Sequence, residues 1–301
     1  MTQARVQAGV RIAVRVIALI LAVNAPKAIA QANLTSILHS TRSSPGDLEV
    51  GAELAGAPTG ATRFIRYDDL LRLPQESYTV SDDTNFHGKT EISGVPFEAL
   101  TRLLGSAPHD AMIVAICYDQ YRANYPREYI AAHYPILVLR INGQPHDHWP
   151  PSPYGDLLAP YLVSHPAFKP AFRVLSHRDE PQIPYGVTRI EVRRESVVFG
   201  AIRPPGNWPA NSPVEQGYTI ARQDCFRCHN MGAEGGTKAG QSWERLAGDA
   251  TRDPKRFQQT IRNPASVSKD AQMPAHADYA NATLAALTAY FKTFAAPERN
   301  R

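Results

Sequence analysis

Short apolar runs alternate with polar and proline-containing stretches through residues 61–200. Runs rich in β-branched and aromatic residues predict strands at Thr62–Arg66, Tyr78–Val80, Met112–Tyr118, Ile136–Ile141 and Val187–Arg193. Apolar spacing, or an opening proline, predicts short helices at Tyr67–Leu73, Phe97–Leu104 and Arg127–His133. Nine prolines between Pro145 and Pro184 predict long ordered loops in that region. The pattern therefore predicts a mixed α+β domain over residues 61–200.

The C-terminal third of the chain follows a helical period instead. Gln216–Arg222 predicts a short helix, and Asn281–Phe294 predicts a closing amphipathic helix. The apolar residues of the closing helix are Leu284, Leu287, Tyr290, Phe291 and Phe294. We therefore expect an all-α domain at 214–297. The proline-rich stretch 201–213 predicts a linker, and residues 31–60 predict a flexible lead-in because they offer little to bury.

The N-terminus has the pattern of an export signal. Arg5, Arg11 and Arg15 precede the apolar run at 16–23, and the small-residue sequence Ala28-Ile29-Ala30 follows it. A basic segment, a short apolar segment and an A-x-A site are typical of a secretory signal peptide, and the apolar run is too short to span a bilayer. We therefore predict a signal peptide at residues 1–30, a periplasmic location and no stable membrane span. The alternative is an uncleaved N-terminal anchor.

The charge balance changes once this segment is set aside. The whole chain has 32 basic and 28 acidic residues, a formal net charge of +4. Residues 1–30 contain four basic residues and no acidic one, which leaves 28 basic against 28 acidic residues in the remainder. No basic excess remains that would favour nucleic acid as a partner.

The sequence Cys225-Phe226-Arg227-Cys228-His229 carries the most specific chemistry in the chain. Cys-x-x-Cys-His is the attachment signature of a c-type haem: two thiols add to the haem vinyl groups, and the adjacent imidazole ligates iron. A zinc ribbon would need a second Cys pair, but the only other cysteine is Cys117. A thioredoxin-type pair would follow a strand, whereas a predicted helix precedes this motif. We therefore expect one covalent haem c.

From about residue 212 to 297 the chain resembles a small monohaem cytochrome c. The resemblance rests on Gly217-Tyr218 before the motif, the motif itself, Gln272-Met273-Pro274 after Arg262-Asn263-Pro264, and the closing helix. It implies electron transfer through a haem bound by Cys225 and Cys228, with His229 and Met273 as axial iron ligands. A periplasmic redox protein or respiratory complex is the implied partner.

Several points in this domain stay open at the level of sequence. Met273 has a competing interpretation as a core gap-filler, and His276 is a competing ligand. Met231 lies too close to His229 to reach the opposite face of a haem. Trp243 and Arg262 are candidates to contact the haem propionates, or else a packed core residue and a solvated arginine.

The family often has a proline after the motif whose carbonyl accepts a hydrogen bond from the proximal histidine. Residues 235–241 contain no proline, so a different acceptor is expected.

Residues 61–200 look like a reduced form of the sulfite-oxidase-type molybdopterin domain. The matching residues are Ser93–Leu100 with Leu103-Leu104-Gly105, the strand that ends in Cys117, Ile141-Asn142-Gly143-Gln144-Pro145 and Ala159-Pro160-Tyr161-Leu162. The resemblance implies a molybdenum ligand at Cys117.

Three departures weigh against molybdopterin. Cys117 is followed by Tyr118-Asp119-Gln120-Tyr121 rather than a glycine-containing turn, the domain is short, and Arg11 and Arg15 do not form a twin-arginine pair. The competing interpretation is that Cys117 is a small buried apolar residue.

Two further groups of residues have possible binding chemistry. His146-Asp147-His148 has donors for a transition metal, although a surface loop is the competing interpretation. Asp119, Tyr121 and Arg122 are candidates to line a vestigial pocket for a small anion.

Two functions from different classes follow. The first is a periplasmic electron carrier whose N-terminal domain is a cofactor-free docking or ligand-binding module, and this is the one we favour. The second is a molybdenum oxidoreductase that uses its own haem as the electron exit.

Overall fold

The structure is a computed structural model and describes residues 37–54, 57–104, 110–166 and 182–295. The predicted signal peptide at 1–30 lies outside these ranges. Among the described residues, no helix combines the length and the apolar character needed to cross a membrane. Residues 32–301 group into one compact unit, which contains both predicted domains.

A large mixed β-sheet forms the N-terminal domain. Its strands are β1 (Leu48–Ala52), β2 (Arg63–Ile65), β3 (Glu76–Val80), β4 (Thr90–Pro96), β5 (Ala111–Cys117), β6 (Arg122–Pro126), β7 (Ile136–Ile141), β8 (Gln144–Pro145), β9 (Tyr161–Ser164) and β10 (Tyr185–Arg194). Its helices are α1 (Tyr67–Leu71), α2 (Phe97–Leu103), α3 (Arg127–His133) and α4 (Glu195–Gly200). The sheet runs in the order β2-β1-β10-β9-β7-β4-β3, and β5 and β6 branch from β10.

Strand β10 lies at the branch point of the sheet and pairs with three other strands. It pairs with β1 in parallel, with Glu49 opposite Arg189, and antiparallel with β5, with Arg194 opposite Ala111. Near its start it also pairs with β9, where Val187 lies opposite Tyr161. The ten residues of β10 give it the length to pair with three strands.

Strand β5 is buried on both faces, and the two faces contact different parts of the molecule. Because side chains alternate along a strand, Ala111, Ile113, Ala115 and Cys117 enter the core of the sheet domain. Met112, Val114 and Ile116 pack instead with aromatic and aliphatic residues of the helical domain. One hydrophobic cluster therefore includes residues of both domains.

The C-terminal domain is helical. Its elements are α5 (Pro213–Gln223), β11 (Asn230–Met231), β12 (Glu234–Gly235), α6 (Trp243–Arg252), α7 (Pro254–Arg262) and α8 (Asn281–Lys292). Helix α5 begins with Ser212, whose hydroxyl accepts a hydrogen bond from the Glu215 amide, and with Pro213 in its first turn.

Helices α5 and α8 cross at Gly217. A Cβ atom at this position would lie 2.2 Å from the Ala286 carbonyl oxygen and 2.6 Å from Cβ of Tyr290. Glycine therefore sets how closely the first and last helices of the domain pack.

Two boundaries predicted from sequence need correction. Residues 31–60 are not a flexible lead-in throughout, because β1 lies within them and Leu48 and Val50 are fully buried. The predicted linker 201–213 likewise begins inside the helical domain's core, where Ile202 is buried and its carbonyl accepts a hydrogen bond from the Tyr290 hydroxyl at 2.6 Å.

The predicted elements match in type and differ mainly at their ends. The strand Ile136–Ile141 and the helix Arg127–His133 have the predicted bounds. The predicted loop region between Pro145 and Pro184 contains strand β9, and its residues 167–181 lie outside the described ranges.

Replacing Gly217 tests the helix crossing. We expect Gly217→Ala to lower the free energy of unfolding, because overpacking costs about 1–3 kcal/mol and exceeds a gain in helix propensity of about 1 kcal/mol. Gly248→Ala is the matched control on α6, where the nearest atom to an added Cβ, in the Arg252 side chain, lies 3.9 Å away. Urea unfolding of the full-length protein measures both, and equal stabilities of the two variants would contradict the crossing.

Candidate functional site

The Cys-x-x-Cys-His motif lies directly after α5. The chain leaves that helix at Asp224 and enters a 3₁₀ turn, Cys225–Arg227. The backbone amides of Cys228 and His229 both donate to the Cys225 carbonyl, at 3.2 and 2.9 Å. Both cysteines are free thiols and half-buried. The tight turn therefore carries the two thiols and the imidazole together in one short loop.

The environment keeps both motif thiols protonated. Burial raises the pKa of Cys225, and the neighbouring Asp224 carboxylate raises it further. Burial also raises the pKa of Cys228. The thiols are thus held in the neutral form, which does not repel its neighbour as a pair of thiolates would.

His229 is oriented by a backbone carbonyl. The side chain is buried, and Nδ1 lies 2.9 Å from the Gln241 carbonyl oxygen. A carbonyl only accepts, so Nδ1 carries the proton and Nε2 is left with its lone pair. Burial lowers the pKa of His229, and the Gln241 hydrogen bond only partly opposes this. A neutral imidazole with a free Nε2 is the form that ligates a metal, so His229 fits the haem ligand role.

Gln241 supplies the acceptor that the sequence left open. It lies at the end of the proline-free stretch 235–241, next to the first turn of α6. A backbone oxygen can come from any residue type, so no sequence signal would have identified it.

Met273 lies in the loop between α7 and α8. It is half-buried and packs against the same hydrophobic cluster as Cys225 and Met231. The Tyr279 hydroxyl donates to the Asp224 carboxylate at 2.6 Å, and the His276 amide donates to the Ile261 carbonyl at 3.1 Å. The first bond ties the methionine loop to the residue that precedes the motif. Sequence reasoning missed Tyr279 in this role.

Trp243 and Arg262 have partners within the chain. Trp243 is fully buried, and its indole N–H lies 3.2 Å from the Tyr290 hydroxyl oxygen. The interpretation as a packed core residue is therefore the one that its surroundings support. The guanidinium of Arg262 donates to the Tyr279 carbonyl at 3.0 Å and to the Asn281 side chain at 2.8 Å. These bonds join the methionine loop to the start of α8.

Cys117 ends strand β5 with its side chain in the core of the sheet domain. It is 3% exposed and belongs to the cluster that contains Ala115 and Tyr125. Burial raises the pKa of its thiol, and Asp119 raises it further. The thiol therefore lies among apolar side chains, as expected for a small buried residue.

Residues of the protein itself pack around the end of β5 at Cys117. The ring of Tyr118 covers Gly186, where an added Cβ would lie 2.1 Å from the ring. The turn that follows Cys117 is closed by a hydrogen bond between the Cys117 amide and the Tyr121 carbonyl at 2.9 Å. Side chains of the protein itself thus fill the space next to the thiol, as the competing interpretation from sequence expects.

The candidate metal-binding group His146-Asp147-His148 lies in a 3₁₀ turn of the sheet domain. His146 is half-buried and packs edge-on against Tyr67 at 4.7 Å, while Asp147 and His148 are exposed in a 3₁₀ turn. Within the described ranges, no group of three or more His, Cys, Asp or Glu residues is placed to hold a metal ion. A surface loop describes this segment.

Two residues of the predicted anion pocket have partners in the helical domain. Asp119 pairs with Lys238 at 2.5 Å, and the Arg122 guanidinium donates to the Ala233 carbonyl at 3.3 Å. Both side chains therefore join the sheet domain to the helical domain. The carboxylate of Asp119 raises the pKa of Lys238, although burial alone would lower it.

Comparisons with known proteins agree with the helical domain's site. Residues 212–291 match the family described as cytochrome c oxidase, cbb3-type, subunit III. A comparison with curated protein sequences gave no match. Among solved structures, the chain is similar to the sulfane dehydrogenase SoxCD from Paracoccus pantotrophus, with 14% identity and a TM-score of 0.34. That match covers 52% of this chain and 41% of the SoxCD chain. Residues 212–291 are thus a cytochrome c domain, and the chain joins it to an N-terminal domain built on a mixed β-sheet.

Proposed function

We propose that this protein is a periplasmic electron carrier with one covalent haem c and a cofactor-free N-terminal domain. The observation that carries the proposal is the hydrogen bond from His229 to the Gln241 carbonyl. It fixes a neutral imidazole with a free Nε2 beside two free thiols, which is the arrangement that a c-type haem requires.

Each site residue has a distinct role in this proposal. Cys225 and Cys228 would hold the haem covalently, and His229 and Met273 would ligate its iron. The bond between Tyr279 and Asp224 keeps the methionine loop next to the attachment turn. When bound, haem supplies reversible one-electron oxidation and reduction. Because His229 and Met273 would both ligate the iron, a substrate would have no free ligand position, which favours electron transfer over oxygen or peroxide chemistry.

The location and partner follow from chemistry outside the folded site. The N-terminal signal pattern and the thioether-forming motif both favour the exported side of a bacterial membrane. The matched family is described as a subunit of a respiratory oxidase. We therefore propose a periplasmic redox protein or respiratory complex as the electron partner.

Metal content separates this proposal from the molybdenum alternative. We expect protein purified from the periplasm to contain iron in an equimolar ratio with the chain and no stoichiometric molybdenum, because the Cys117 side chain is packed into the core of the sheet domain. Elemental analysis alongside a reduced-minus-oxidised spectrum measures this. Molybdenum equimolar with iron would overturn the carrier function.

Replacing Met273 tests the second axial ligand. We expect Met273→Ala to abolish the sulfur-to-iron charge-transfer band at the red end of the visible spectrum and to lower the midpoint potential, because a thioether ligand favours ferrous iron. Met231→Ala is the matched control, since Met231 packs against the same cluster. Retention of the band in Met273→Ala, or its loss only in Met231→Ala, would disprove the assignment.

A further inference from the structure

The sheet domain contacts the segment that supplies the acceptor for His229. The turn at its contact is Tyr118–Tyr121, which follows strand β5, and we refer to it as the clamp turn. The segment it meets is 236–241, which follows β12 in the cytochrome domain. These two stretches are more than a hundred residues apart in sequence.

Two polar contacts join the clamp turn to this segment. The Thr237 amide donates to the Gln120 carbonyl at 3.2 Å, and the Lys238 ammonium donates to the Asp119 carboxylate at 2.5 Å. The other carboxylate oxygen of Asp119 accepts the Tyr121 amide at 3.0 Å, which fixes the orientation of the carboxylate. A hydrogen bond within the clamp turn therefore orients the Asp119 carboxylate independently of Lys238.

The fit between these stretches leaves no room for a side chain. A Cβ atom on Gly236 would lie 1.8 Å from the Arg227 carbonyl oxygen and 3.0 Å from the Gln120 carbonyl oxygen. The backbone of the haem motif and the backbone of the clamp turn thus both approach the same point at Gly236.

The same segment reaches the haem motif through its backbone. The Ala239 amide donates to the Cys228 carbonyl at 3.0 Å, and the Gln241 carbonyl accepts from Nδ1 of His229 at 2.9 Å. Only two residues, Ala239 and Gly240, separate Lys238 from Gln241 along the chain. A tether at Thr237 and Lys238 therefore limits the position of the carbonyl that orients the imidazole.

We propose that Asp119 is a positioning residue for the haem ligand His229, acting through Lys238 and the Gln241 carbonyl. The inference rests on the proposed haem function and gives the sheet domain a defined part in it. A partner that holds a ligating histidine sets the ring's orientation and raises its basicity. The sheet domain thereby tunes the iron site from a different domain.

The contribution of the ion pair to stability is a separate and smaller matter. The side chains of Lys238 and Asp119 are 39% and 26% exposed, and pairs of this kind contribute little to folding. The effect that matters is on the hydrogen bond of His229, so the measurement that reports it is the midpoint potential.

The first experiment replaces the carboxylate in the full-length, haem-loaded protein. Asp119→Asn keeps an oxygen for the Tyr121 amide and removes the charge that holds Lys238. We expect the midpoint potential to rise, because a weaker hydrogen bond makes His229 a less basic ligand. Without the hydrogen bond between Lys238 and Asp119, the segment should open more often. We therefore expect amide exchange at Thr237 to be about fivefold faster, which corresponds to the net stability of one hydrogen bond. Asp119→Glu should restore both values toward wild type.

A matched control separates this effect from a general change of charge. Asp249→Asn makes the same substitution on α6, where Asp249 pairs with two arginines of its own helix, Arg245 at 3.4 Å and Arg252 at 2.5 Å. The control should keep the wild-type potential and the wild-type exchange at Thr237. An equal rise in potential in Asp249→Asn would overturn the proposal.

Replacing Lys238 tests the same tether by removing a positive charge, whereas Asp119→Asn removes a negative one. Loss of a positive charge by itself lowers the potential of a nearby iron, whereas a loosened tether raises it. Lys238→Met should therefore raise the potential, as Asp119→Asn does. A lower potential in Lys238→Met, or wild-type values of potential and exchange in both variants, would overturn the positioning role. If Asp119→Asn fails to take up haem, Lys238→Met decides the question alone.

The proposed electron-carrier function can fail independently of this inference. A haem-loaded protein that exchanges electrons with no partner would refute the carrier function, yet its potential would still shift in these variants. An unshifted potential in a protein that does transfer electrons would refute only the role of Asp119.

Discussion

The packing of strand β5 against two cores is the constraint on which the rest of the structure depends. Its odd-numbered residues from Ala111 to Cys117 fill the core of the sheet domain, and its even-numbered residues fill the cluster of the cytochrome domain. Because a strand alternates its side chains, neither face is available to solvent. The two domains are therefore held in fixed contact. As a result, the clamp turn at the end of β5 contacts residues 236–241, which follow the haem motif.

This contact explains the position of Cys117. The residue ends β5 on the face that points into the sheet domain, so its thiol is surrounded by apolar side chains. Its neighbours in the turn have polar partners across the domain boundary, such as Lys238 for Asp119. The strand end that resembles a metal-binding position is thus used for packing and for the contact between domains. The same strand end also leads into the turn that contacts the segment next to the haem motif.

The sequence predicted the features that depend on neighbouring residues. The haem motif lies within five residues, and the helix Arg127–His133 begins at a proline, so local chemistry determines both. The sequence did not predict β1, because a five-residue strand with a glycine in it is stabilised by its pairing with β10. The acceptor for His229 could not be predicted either, because every residue type has a backbone carbonyl. Contacts between segments far apart in sequence account for these differences.

The shared cluster also means that the region recognisable by sequence differs from the region that folds. The family match begins at residue 212, yet Val198, Phe199 and Ile202 complete the core of the helices that follow. Met112, Val114 and Ile116 complete it from a strand still further upstream. The cluster of the matched segment is thus completed by residues that lie outside the match, so residues 212–291 alone would expose apolar side chains that are buried in the full chain.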